Sequence, residues 1–183
     1  MSQAVLVDDL LNLAREYRQA YYDLRQVAPL SWPRYFLFCH SIELVLKAYL
    51  AQAAGLTEDQ LQKPPFGHNI KNLLNRAIQC GLRLTANTKA SIGLLTEAHT
   101  KHWPRYPMKK LNTVVLIYQC EADADKLFVA VYAALGRPPR RARTSALDVA
   151  PRYICRSFFV SGAGVAVESL WPPRTLVGIP LDK

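Results

Sequence analysis

Apolar residues at Leu6, Leu10, Leu13, Tyr17, Tyr21 and Leu24 recur in steps of three and four, the period of one helix face. The spacing predicts an amphipathic helix that ends before Pro29, followed by a turn at Ser31-Trp32-Pro33 whose proline suits the first helical turn. From Arg34 to about Ala54 the pattern changes. Tyr35 to Phe38, Ile42, Leu44 to Leu46 and Ala48 to Leu50 cover nearly the whole circumference, and a helix apolar all round belongs at the centre of a bundle. Gly55 is placed to stop it, and a polar connection through Lys63-Pro64-Pro65 leads to Gly67.

A third helix is expected from about His68 to Cys80, with Ile70, Leu73, Leu74, Ala77 and Ile78 on one side and Gly81 as its stop. Ala86 to His99 reads as a weaker helix with Ile92, Leu95 and Ala98 in phase. Trp103 to Pro107 must be irregular, because Pro104 and Pro107 break any helix there. Thr113 to Ile117 is β-branched, but a lone strand has no partner, so it reads as the entry to a last helix carrying Ala124, Leu127, Phe128, Val131 and Leu135 in phase. The expected architecture is all-α: an antiparallel four- to five-helix bundle over residues 1–136 with an irregular basic C-terminal tail.

Composition changes that picture at one end only. The 183 residues carry a formal net charge of +9, which by itself suggests a nucleic-acid binder. Residues 1–136 hold 15 basic and 11 acidic side chains, whereas residues 137–183 hold 8 basic, 3 acidic and six of the twelve prolines. The excess is therefore concentrated in an Arg/Pro-rich tail beginning Arg137-Pro138-Pro139-Arg140-Arg141, which shows no sustained helical or strand period. Two readings stand for it: a disordered basic tail able to touch RNA or anionic surfaces, or a frameshift-derived C-terminus, since its Arg, Pro, Ala and Gly bias suits translation of a GC-rich alternative frame.

Cys39, Cys80, Cys120 and Cys155 lie 35 or more residues apart, unlike a CxxC metal or redox pair, and read as free thiols, mostly buried. No apolar run is long enough to span a membrane, and the N-terminus carries two acids before any base. A cytoplasmic protein without membrane contact is expected.

Candidate chemistry lies where polar groups interrupt apolar helices. His40, Glu43 and Lys47 fall within about 60° of arc at 100° per residue. Glu43 and Lys47 also form an i,i+4 pair in the favourable order. Charge inside a bundle must be paired or face a wet cleft, so the stripe is either a polar cluster fixing helix register or a ligand or catalytic cleft. His68 and Asn69 stand at the start of the third helix, as an anion-binding step or simply a capping segment. Arg105 and Tyr106 sit in the proline-stiffened loop, which suits either phosphate binding and base stacking or packing. His99 and His102, three apart, could share a helix face, but no acid or cysteine is placed to complete a metal site with them, so no metal site is expected and no cofactor is implied. GxSxG, GxxxxGK[ST], HExxH and GxGxxG are absent.

The run Tyr35-Phe36-Leu37-Phe38-Cys39-His40-Ser41-Ile42-Glu43-Leu44-Val45-Leu46-Lys47-Ala48-Tyr49-Leu50, then Gly67-His68-Asn69-Ile70 with Leu73-Leu74, then Arg105-Tyr106-Pro107, resembles the HEPN (higher eukaryote and prokaryote nucleotide-binding) family, bacterial branch. The resemblance covers about residues 3–135. It implies a helical bundle that often dimerises, a role near RNA or nucleotides, and a possible nucleotidyltransferase-type partner protein in a toxin–antitoxin pair. Many family members are metal-independent ribonucleases with an arginine, four to six intervening residues and a histidine late in the bundle. Here Arg105 is followed by no histidine, and Arg34 and His40, with that spacing but on an early helix, lie about 120° apart. Three functions are thus in view: a dimeric nucleotide- or RNA-related binding module, a ribonuclease using His40 with Arg34 or Arg105, and a helical interaction protein without catalysis.

Overall fold

The computed structural model describes residues 2–27, 31–96, 99 and 117–137. The loop holding His102, Arg105 and Tyr106, the segment Thr113 to Leu116, Cys155 and the tail beyond residue 137 lie outside the described residues. Within them the protein is all-α, with six helices and no strand: α1 (Gln3–Val27), α2 (Trp32–Ala54), α3 (Glu58–Gln62), α4 (Ile70–Gln79), α5 (Ala86–Leu94) and α6 (Ile117–Ala134). No helix among the described residues is long and apolar enough to cross a membrane.

The helix boundaries follow local chemistry. Ser31 caps α2 by accepting a hydrogen bond from the Arg34 amide, and Pro33 lies in the first turn, where the missing N–H costs nothing. Gly55 closes α2 in the left-handed conformation at φ 64°, where a β-carbon would be strained. Asn69 caps α4 through its side-chain oxygen and the Asn72 amide, so α4 starts at Ile70, two residues after the expected start. Helix α3 was not anticipated within the polar connection. Its signal is the capping box Thr57-x-x-Gln60, in which each side chain accepts from the other residue's amide.

Helix α2 is the axis of the bundle, packed against α1, α3, α4 and α6. From Ser41 to Ala51 every residue of α2 is buried, as its all-round apolar pattern requires. Gln3 at the start of α1 donates to the Ala51 carbonyl near the end of α2, while Arg34 at the start of α2 donates to the Tyr21 carbonyl, so α1 and α2 are antiparallel. Arg137, just beyond α6, meets Asp8 and Glu121 meets Arg34 and Tyr21, which sets α6 antiparallel to α1. The buried edge of α1 is Leu6, Val7, Leu11, Ala14, Arg18 and Tyr21. Leu13, expected on that edge, is 43% exposed, because the seam follows the step from Leu11 to Ala14 instead. Ala124, Leu127, Phe128, Val131 and Leu135 all face the core as their phase predicts.

Candidate functional site

Glu43 lies in the middle of α2, wholly buried, and Lys47 and three histidines converge on its carboxylate. Lys47, one turn on, donates to Oε1 at 2.6 Å. The second oxygen, Oε2, is approached by three imidazoles: His99 through Nε2 at 2.5 Å, His68 through Nδ1 at 3.0 Å and His40 through Nδ1 at 3.5 Å. Helix geometry delivers His40 and Lys47, since residues three and four apart on α2 share its face. His68 arrives from the turn before α4, brought back to the level of Glu43 by α3 and the Lys63–Gly67 turn, in which both the Phe66 and Gly67 amides bond to the Lys63 carbonyl.

Burial works against charge on Glu43, but the three imidazoles and the Lys47 ammonium outweigh it and hold the carboxyl far below the usual carboxylate range. Because an ionised carboxylate only accepts hydrogen bonds, His68 donates to it through Nδ1 and His99 through Nε2. His99 is 1% exposed, and burial lowers its pKa in spite of Glu43, so the neutral ring is its resting form at pH 7.

His40 differs from the other two. Its Nδ1 is buried and makes no hydrogen bond. The ring is held instead by aromatic contacts, stacked on Phe36 at 5.1 Å and edge-on to Tyr17 at 4.5 Å. His68 is the exposed end of the cluster, with 37% of its side chain open to solvent.

Arg34 belongs to a separate cluster. Its guanidinium is buried, donates to the Tyr21 hydroxyl at 2.8 Å and to Glu121 Oε1 at 3.1 Å, and lies over the Tyr21 ring at 4.3 Å. The Tyr21 hydroxyl also donates to Glu121. Beside it, Arg18 pairs with Asp125 and lies 4.2 Å over the Phe128 ring. These contacts tie α1, α2 and α6 together and point Arg34 away from the Glu43 stripe.

The expected site residues thus divide. His40, Glu43, Lys47 and His68 meet, Asn69 is the N-cap of α4, and Arg34 is committed elsewhere. Arg105 and Tyr106 lie outside the described residues. Sequence reasoning missed His99, because it sought a partner acid only among residues near it in the chain. The acid is Glu43, 56 positions away. No family model, curated protein or solved structure matches the chain.

Proposed function

We propose that this protein is a HEPN-like module with a nucleotide- or RNA-related role, which uses the cluster around Glu43 as its ligand site. Convergence is the observation that carries the reading: four residues of the resemblance, His40, Glu43, Lys47 and His68, meet at one carboxylate, and His68 opens that cluster to solvent. The proposed module is cytoplasmic and dimeric, and acts beside a nucleotidyltransferase-type partner in a toxin–antitoxin pair. Binding is preferred over catalysis because Arg34, one of the cations proposed to meet charge on a scissile phosphate, is held by Glu121 and Tyr21.

The test has two arms. ATP, AMP and short RNA are titrated into the full chain while its melting temperature is followed, since a ligand selective for the folded state must raise it. A rise that is lost in His68→Ala supports the reading, and no shift with any of them removes it. In parallel, total RNA is incubated with the protein in EDTA. Cleavage that disappears in His40→Ala would make the protein a metal-independent ribonuclease instead, while intact RNA leaves the binding module.

A further inference from the structure

The Glu43 cluster contains more nitrogen than its carboxylate can use. Oε2 has two lone-pair directions, and His99 and His68 occupy them at 2.5 and 3.0 Å. His40 is the third imidazole on the same atom, 3.5 Å away, buried and without a hydrogen bond. A cluster that served packing alone would gain by replacing a buried, unsatisfied ring nitrogen with carbon. A bound cation would give the surplus nitrogen a partner.

We propose that His40 Nδ1, Glu43 Oε2 and His99 Nε2 form a binding site for a divalent transition cation of the zinc class. The donor atoms of these three residues all lie within 4.8 Å of one another. Four-coordinate bonds of about 2.0–2.2 Å place donor atoms about 3.3 Å apart, so closing on a cation requires shifts of an ångström or so. Two imidazoles and one carboxylate suit Zn²⁺, Co²⁺ or Ni²⁺ and suit Mg²⁺ and Ca²⁺ poorly, because those ions require oxygen ligands. Three protein ligands leave one position for an outside group, the arrangement of reactive rather than purely structural zinc sites.

The neighbours fit the assignment. Lys47 holds Oε1, which leaves Oε2 as the oxygen turned to the rings. His68 donates to Oε2 through Nδ1, the kind of outer hydrogen bond that orients a ligating carboxylate. His99 moves its proton from Nε2 to Nδ1 and offers the freed lone pair. The Lys47 ammonium repels a bound cation, and the two positive charges together favour an anionic group in the open position. This proposal does not rest on the nucleotide reading.

The full chain, stripped with EDTA and dialysed, is titrated with Co²⁺ and, separately, with Zn²⁺ and Mg²⁺. The expected result is a visible ligand-field absorption saturating at one Co²⁺ per chain, displacement of that absorption by Zn²⁺, and a melting temperature that rises with Zn²⁺ but not with Mg²⁺. His40→Phe, which keeps the stacking on Phe36, and His40→Gln should each lower the Zn²⁺ affinity at least tenfold while keeping the helical circular dichroism of the parent. Absence of the Co²⁺ absorption, or a Zn²⁺ response equally strong in both variants, overturns the proposal.

Discussion

Two buried ionic clusters sit on the same central helix, and they are built on opposite plans. Around Arg34, donors and acceptors match: one guanidinium, one phenol and one carboxylate close on each other and bridge α1, α2 and α6. Around Glu43 they do not match, for a single carboxylate faces an ammonium and three imidazoles, and one imidazole nitrogen is left without a hydrogen bond. Buried charge persists in a fold where its partners compensate it, so the matched cluster explains itself as architecture. Arg18 Nη1, Tyr35 Oη and Thr96 Oγ1 also lack hydrogen bonds, but His40 Nδ1 differs from them in facing a carboxylate oxygen that two further imidazoles already share.

That contrast orders the consequences of substitution. Glu121→Ala leaves the Arg34 guanidinium buried without its carboxylate and should cost about 3–5 kcal/mol in urea or guanidinium denaturation. Lys47→Met removes the ammonium from Glu43, but the carboxylate keeps its hydrogen bonds from His99 and His68, so the loss should be smaller, about 1–3 kcal/mol. Equal losses for these two variants would erase the distinction between the clusters.

A third polar joint sets the lower end of the scale. Asp123 accepts from Ser91 at 2.7 Å, Lys126 at 3.0 Å and Thr88 at 2.9 Å, joining α5 to α6, and these hydrogen bonds depress its pKa. A depressed carboxyl contributes stability that is present above its unfolded value near 3.9 and is lost as the pH falls through its folded value. Asp123→Asn should therefore lower neutral stability slightly and flatten the acid limb of the stability curve below about pH 4. A variant whose acid limb matches that of the parent would contradict this.

Much of the fold was legible in the chain because the relevant physics is local. The phase of Leu127, Val131 and Leu135, the all-round apolarity of α2 and the Gly55 stop all express helix geometry within a few residues. Leu13 was misplaced because a stepwise apolar count does not distinguish Leu10-Leu13 from Leu11-Ala14, and only packing against α2 selects the second. The site was half legible on the same grounds. His40, Glu43 and Lys47 lie on one helix, so their meeting follows from a rotation of 100° per residue. His99 reaches Glu43 only through the packing of separate segments, which no local spacing encodes. The pairing of Arg34 with Glu121 was hidden for the same reason, at a separation of 87 positions.

The central claim is that His40 is kept for a ligand and not for stability. Its most direct test is the unfolding free energy of His40→Phe against the parent, both metal-free at pH 7. Exchanging a buried nitrogen without a hydrogen bond for carbon, with the stack on Phe36 retained, should leave stability within about 1 kcal/mol or raise it. A loss of about 3 kcal/mol or more would mean that the ring holds the bundle together, and would contradict the account.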